Sequence, residues 1–300
     1  MIIDGKTLTD MSEGFNKIFE TTFKELKPQT IYTELATVVN APNSTTVEYG
    51  WLSDVPSMRE WIGERDIKNL KAYGYTISKK DFEATVSVSR DDILFDRLGI
   101  VKPRIQDLAY AGRFHYDKLV IDLIKNNGVC YDGKNYFDEH TIEDPDGNQV
   151  SKFTNLSTKV LSEDNLYEAM KTMRNITNTN GDPINVNPNM ILVASNLEKT
   201  ADKLIKAQYN SYGADNGLHN KFKVQVVPQL DDNNWVLMDT NKPLKPFILQ
   251  ITKPITFVSM ANPQDESVFM KKDYRYGIDG MHNVGYALPH LAYFSDGSDS

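Results

Sequence analysis

The residues able to carry chemistry are few and scattered. The single cysteine, Cys130, lies ten residues before His140. A nucleophilic thiol needs a neighbouring base or cation that lowers its pKa. No nucleophile motif surrounds this pair, so a buried or incidental thiol is the plainer reading. Asp138-Glu139-His140, followed by Glu143, Asp144 and Asp146, offers oxygen and nitrogen ligands for a divalent cation. Gly147 does not fit a calcium loop, which needs glycine at its sixth position, and the stretch reads more simply as a solvated acidic loop. Arg90-Asp91-Asp92 pairs two acids that could exchange protons, although such triplets more commonly cap helices or form ion pairs. Lys199, Lys203 and Lys206 share one helix face, as a phosphate-binding patch or as a solvated surface. Phosphate-binding, nucleophile-elbow and zinc-protease motifs are all missing. The histidines, at 115, 140, 219, 282 and 290, show no metal-ligand spacing. No catalytic residue, cofactor or metal is therefore expected, and the chain reads as a non-enzyme.

The composition narrows the classes further. The 300 residues carry 33 Lys+Arg against 41 Asp+Glu, a net charge of −8. An acidic chain lacks the basic footprint of a dedicated nucleic-acid binder. No apolar run approaches the roughly 20 residues that span a bilayer, and Met1–Lys6 does not resemble a secretory signal. One cysteine excludes an internal disulfide, which fits synthesis in a reducing cytosol. The length allows one large domain or two smaller ones.

The elements that would position these residues read as mixed α and β. Phe15, Ile18, Phe19 and Phe23 give a helical spacing over Met11–Leu26. Ile31–Tyr49 reads as an extended arm without a core of its own. Phe82, Ala84, Val86 and Val88 alternate with polar residues, a period of two that means a half-buried strand. With Tyr73–Ser78 before it and Lys79-Lys80-Asp81 between, a two-stranded hairpin is predicted. Pro103 is expected to open a long helix running to Asn126-Asn127-Gly128, about 25 residues and roughly 37 Å in length. Two Asp-Gly turns mark Val129–Lys152 as loop or hairpin. Ser162 caps a helix to Ile176. Pro183 to about Ile251 forms an α/β unit with strands at Met190–Ala194, Phe222–Val226, Trp235–Met238 and Phe247–Ile251 and a helix at Leu197–Tyr209. Val268–Phe294 is expected to return to the first domain as long strands. Ser295–Ser300 show no packing role.

Several segments together resemble a known family. They are Met58–Arg65, Leu70, Tyr75-Thr76-Ile77, Phe82–Val86, Arg90–Ile93 and Asp96–Gly99. Cys130–Gly133, Tyr136-Phe137-Asp138, His140, Val268–Lys272, Tyr276-Gly277 and Asp279 continue the pattern in order. The chain is similar to the major head subunits of Mu-like bacteriophages, the gpT family, from about residue 15 to residue 295. The resemblance implies an α+β fold, the tailed-phage major capsid fold. Its parts would be an N-terminal arm (1–50), an extended hairpin loop (51–98) and a peripheral domain (99–182) with a spine helix at 103–127. An axial domain (183–253) would follow, and 254–300 would return to the peripheral domain.

The same resemblance implies self-assembly into the hexamers and pentamers of an icosahedral phage head enclosing double-stranded DNA. The implied partners are other copies of the chain, a portal, decoration or scaffolding proteins, and DNA held non-specifically, with no membrane. The place is the virion, with assembly in the bacterial cytoplasm. The residues expected at subunit contacts are Arg59, Trp61, Glu64, Arg65, Tyr75, Lys79, Lys80, Phe82, Arg90, Asp91 and Asp92, the charges setting register more than affinity. An acidic wall would enclose DNA without gripping it. A scaffold is expected to be a separate protein, and the N-terminus to be kept on maturation. Competing readings are an encapsulin-like shell around a cargo enzyme, a metal-dependent hydrolase at Asp138–Asp146, and a nucleic-acid binder at Lys199–Lys206.

Overall fold

The computed structural model describes residues 5–50, 74–89, 91–92, 98–143, 148–209, 213–262 and 264–299. Its elements are α1 (Gly5–Glu25), α2 (Tyr32–Leu35), β1 (Ala36–Asn40), β2 (Thr46–Glu48), β3 (Thr76–Ser78) and β4 (Lys80–Ser89). Next come α3 (Leu98–Asn126), β5 (Glu139–Glu143), β6 (Gln149–Thr154), β7 (Leu156–Lys159), α4 (Glu163–Arg174), β8 (Met190–Val193) and α5 (Glu198–Ala201). The chain ends with β9 (Lys223–Val226), β10 (Trp235–Met238), β11 (Phe247–Met260), α6 (Glu266–Lys271), β12 (Asp273–Tyr286) and β13 (Ala292–Asp299).

Two sheets organise the molecule. A four-stranded sheet runs β1-β11-β12-β4, and a five-stranded sheet runs β7-β13-β10-β8-β9. The first packs against α3 and α1 around a core that includes Phe15, Phe19, Ile105, Val120, Phe247 and Tyr276. The second buries Leu166, Met170, Ile191, Trp235 and Leu237 beneath α4. Trp235–Met238 is buried at every position, as a continuous apolar run in a central strand should be. Ser162 caps α4 as its sequence implies, its Oγ accepting from the Asn165 N–H at 3.3 Å.

The structure departs from the sequence expectations in six places. First, β3 and β4 do not pair with each other. β3 pairs with β2 and β4 pairs with β12 over its full length. Only Lys79 separates them, too little chain to reverse direction. Second, α3 begins at Leu98, so Pro103 lies inside the helix. There it forfeits a single bond to the Gly99 carbonyl. Third, the arm has a core of its own subunit. Phe15 sits edge-on to Tyr276 at 5.0 Å, Phe19 lies 5.7 Å from Phe257, and both are buried. Fourth, β7 and α4 belong with the five-stranded sheet, while β11 joins the four-stranded one from Phe247 onward. Fifth, the chain end does not return wholly to the first layer. β12 does, but β13 inserts between β7 and β10. Ser295 is thereby buried, and its hydroxyl donates to the Lys159 carbonyl at 2.6 Å. Sixth, Val268 and Met270 fall in α6 rather than in a strand.

The arm is fastened to the spine by a half-buried carboxylate. Asp117 of α3 accepts the Ile31 and Tyr32 N–H groups at 3.0 and 2.7 Å. Arg113, one turn earlier, lays its guanidinium 4.9 Å from the Phe23 ring centre and 5.4 Å from that of Tyr32. Such contacts supply cation–π attraction and cover the rings with the side-chain stem.

The junction between the sheets is built on Tyr136 and Asn155. Asn155 Nδ2 donates to the Tyr136 and Pro289 carbonyls, both at 2.9 Å, and its Oδ1 accepts from the Asp138 N–H at 2.9 Å. The Tyr136 hydroxyl donates to the Pro246 carbonyl at 2.9 Å. Replacing Asn155 with Ala removes three hydrogen bonds to the backbone and leaves the Asp138 N–H without its partner, which is expected to cost about 3 kcal/mol. Tyr136→Phe, which removes one hydroxyl, should cost about 1 kcal/mol. Denaturant titrations followed by circular dichroism measure both, and equal losses would contradict this ordering.

Candidate assembly site

The expected contact residues divide into two groups. Arg59, Trp61, Glu64, Arg65 and Arg90 lie outside the described residues. Tyr75, Lys79, Lys80, Phe82, Asp91 and Asp92 gather around β3, β4 and the turn that follows β4.

β4 is an edge strand. Its inner edge carries a ten-residue antiparallel register against β12, from Asp273↔Ser89 to His282↔Lys80. Its other edge has no strand partner among the described residues. One face turns Phe82, Ala84, Val86 and Val88 inward, with Val88 buried. The opposite face exposes Asp81, Glu83, Thr85 and Ser87. Those side chains are organised locally. Lys79 Nζ pairs with Asp81 at 2.7 Å, and the Thr85 hydroxyl donates to Glu83 at 2.8 Å. Asp92 accepts the Ser89 hydroxyl at 2.8 Å while its own N–H donates back to Ser89 Oγ at 3.2 Å. This is a capping arrangement rather than an acid–base pair.

Tyr75 acts within the subunit. Its hydroxyl accepts the Tyr286 N–H at 2.9 Å, directly beside Gly285. A Cβ at Gly285 would collide with Ile77 Cδ1 and stand 2.9 Å from the Tyr75 hydroxyl. Only glycine lets β3 cross β12 this closely.

Beneath β4 lies an aromatic cluster that the sequence does not foretell. The Phe82 ring stacks on His282 at 4.7 Å and meets His115 of α3 edge-on at 4.4 Å. His115 and His282 are 5.1 Å apart, and Tyr116 closes the group at 4.8 Å from His282. Among the described residues neither His282 nitrogen nor His115 Nε2, all buried, has a hydrogen-bond partner. Burial, reinforced by His115, holds His282 down at about 4. Burial and then Lys118 lower His115.

The remaining candidates resolve differently from their spacing. Cys130 and His140 do meet, but on Asp132 between them. The thiol donates to Asp132 Oδ1 at 2.9 Å, and His140 Nδ1 donates to Oδ2 at 2.6 Å. Burial and the adjacent carboxylate push the thiol well up, the opposite of an activated nucleophile. Of the acidic stretch, Glu139–Glu143 is a strand of the β5–β6 hairpin. Glu139 there pairs with Lys152 at 3.0 Å, and His140 turns away toward Asp132. Residues 144–147 lie outside the described set. Lys199, Lys203 and Lys206 border a shallow, open depression with Glu198 and Asp202, and Lys206 is paired with Asp202 at 2.7 Å. The patch is of mixed sign. Among the described residues no helix is long and apolar enough to cross a membrane.

A long spine helix beneath a sheet with a protruding edge strand, joined to a separate α/β layer, is the architecture of tailed-phage major capsid subunits. The procapsid of bacteriophage JBD30 superposes on 98% of this chain and 76% of its own, with a TM-score of 0.65 and 29% sequence identity. The family model of the Mu-like prophage major head subunit gpT matches residues 8–159, 152–230 and 231–298. The chain belongs to that family. The major capsid protein of Escherichia phage Mu is 36% identical over 145 residues, which is 47% of this chain and 47% of that protein. The Mu-like prophage FluMu major head subunit of Haemophilus influenzae is 28% identical over 282 residues, 93% of this chain and 70% of the relative.

The histidines give this site a pH signature. His290 is also held at about 4, by burial and then by Lys242 and His140. Neutral in the fold and protonated near 6.5 when unfolded, such histidines bind more protons in the unfolded chain between pH 6.5 and about 4. Stability is then fully present above 6.5 and falls as the pH drops through this window, by up to about 1.4 kcal/mol per pH unit for each group. His282→Phe should flatten that slope relative to the parent chain in denaturant titrations across the window. An unchanged slope would show that His282 titrates normally.

Proposed function

We propose that this chain is the structural, non-enzymatic wall subunit of a Mu-like phage head, assembling with copies of itself into hexamers and pentamers around double-stranded DNA. Membership of a family of major head subunits and the likeness to a phage procapsid support this reading, and β4 is the observation that carries it. Among the described residues this ten-residue strand is fastened along one edge, and the other presents a row of backbone donors and acceptors to whatever lies beside it. In a chain built to stay monomeric such an edge would be covered or broken.

In this reading the four-stranded sheet with α3 serves as the peripheral domain and the five-stranded sheet with α4 as the axial domain. α1 and β4 are the parts that approach a neighbouring subunit. Lys79, Lys80, Asp91 and Asp92 lie at the ends of β4 and would set register, as would Arg59, Trp61, Glu64, Arg65 and Arg90. Tyr75 and Phe82 act indirectly by holding β3 and β4 on their own subunit. Portal, scaffolding and decoration proteins are further partners of the assembled wall, the host cytoplasm is the place of assembly, and the net charge of −8 suits a container that releases its DNA. The match to phage heads over most of the chain favours a virion over an enzyme-filled compartment.

Negative-stain microscopy of the purified chain, with and without the scaffold of its own phage, tests this reading. Closed shells or capsomers are expected. Monomers and amorphous aggregate in both conditions would overturn it. Reversing the exposed charge of β4 by Glu83→Lys should change stability by less than about 0.5 kcal/mol yet reduce the yield of shells. Normal shells from that variant would remove β4 from the contact.

A further inference from the structure

A compact set of metal-ligand side chains lies apart from β4. Cys130 Sγ, an Asp132 carboxylate oxygen and a His140 ring nitrogen all fall within 4.8 Å of one another. Cys130 and His140 are buried, and Asp132 reaches partly to solvent. The loop that holds them is stiff. Cys130 N–H donates to the Lys134 carbonyl at 2.8 Å, and the turn passes through Gly133 at φ 81°. Asn127, left-handed at φ 41°, clamps the loop from the end of α3, accepting the Phe137 N–H at 2.7 Å and donating to its carbonyl at 3.0 Å. β5 fixes His140, whose ring stacks on Phe153 at 5.2 Å.

The protons of this cluster mark where a cation fits. His140 Nε2 donates to the Tyr136 carbonyl at 3.0 Å, the orienting bond that a metal-bound imidazole makes with its second nitrogen. Nδ1 and the Cys130 thiol each direct a proton at the same Asp132 carboxylate. Sγ, Nδ1 and the carboxylate thus converge on one point. A thiolate and a carboxylate would balance the charge of one divalent ion, so the buried site would take it up with no net charge left to desolvate.

We propose that Cys130, Asp132 and His140 form a structural zinc site. The metal would bond Sγ, Nδ1 and a carboxylate oxygen, two protons would leave to solvent, and a water on the Asp132 side would complete the tetrahedron. One thiolate, one imidazole and one carboxylate form a borderline-soft set that suits Zn²⁺ over Mg²⁺ or Ca²⁺. The ion would tie the 130–134 turn to β5, beside the Tyr136–Asn155 junction.

Cobalt and zinc titrations of the full-length chain test the site. Co²⁺ should produce a thiolate-to-metal charge-transfer band that saturates at one ion per chain and is bleached by Zn²⁺. Because Cys130 is the sole cysteine, its alkylation rate reports the site directly. Zn²⁺ should slow it about tenfold or more by removing the free thiol and thiolate, and a chelator should restore it. Asp132→Asn, which keeps the loop's shape, should weaken both effects. A folded parent chain showing no cobalt band and zinc-independent alkylation would overturn the proposal and leave a hydrogen-bonded knot only. If Cys130→Ser fails to fold, the parent chain's two readouts still decide.

Discussion

The chain passes between its two main sheets three times, from β4 through α3 and the separate β5–β6 hairpin into β7, after β10 and after β12. Each passage takes peptide groups out of one ladder before they enter the other, in a place too buried for water to serve them. Tyr136 and Asn155 answer all three passages. Asn155 itself sits at the first, and its carbonyl accepts the Phe294 N–H of β13 at 2.8 Å. The Tyr136 hydroxyl serves the second at Pro246, and Asn155 Nδ2 serves the third at Pro289. Two of the peptide groups at these crossings belong to prolines, which carry no N–H and so leave fewer donors to satisfy. Nearly everything else about the relation of the two layers rests on this knot.

The knot also explains why the chain does not divide cleanly along its length. β13 must enter the five-stranded sheet between β7 and β10, so its buried residues Ala292 and Ser295 complete a core begun by β7 and α4 far upstream. β11 and β12 are long because they do two things. Their Phe247–Ile251 and His282–Tyr286 ends pair beside β1, and their far ends carry α1 and β4. Between these parts the register shifts on either side of Lys253, next to Pro254, a residue that cannot donate to a ladder. The Lys253–Asp279 pair at 2.7 Å bridges the irregularity. It is half-exposed, so its role is positional more than energetic.

What was legible in the sequence was local. Trp235–Met238 reads as a buried strand because four apolar residues in a row have no other use at that length. Ser162 reads as a cap because its side chain serves an amide three residues on. The alternation from Phe82 to Val88 fixes which face of β4 is buried. The pairing of β4 with β12 was not legible, since its partners lie far along the chain and nothing near Phe82 specifies Gly280. The same holds for His115 and His282. Each is a lone histidine in its own segment, and only the packing of α3 under β12 makes them a pair. Cys130, Asp132 and His140 are close in sequence, yet their spacing matches no simple ligand motif. A turn and a strand are needed to bring them together. The family resemblance carried the reading over these gaps, because it encodes the assembled fold that local signals omit.

A subunit whose extended strand already has a core behaves differently from one that borrows it. From sequence, the arm over Ile31–Tyr49 looked short of a core of its own. In the structure, Phe15, Phe19 and Val88 are buried within their own chain, and β4 is laddered to β12 throughout. Under the proposed reading, assembly then adds contacts to a strand that is already ordered. The conformational entropy that coupled folding would charge against each contact has been met within the subunit. Binding of a neighbour can therefore be weak per contact and still accumulate around a ring, since little of it is consumed in ordering. The constraint moves elsewhere, to the neutral histidines under Phe82. Phe82 packs directly on them, so the strand offered to a neighbour is fixed from inside by a buried aromatic cluster.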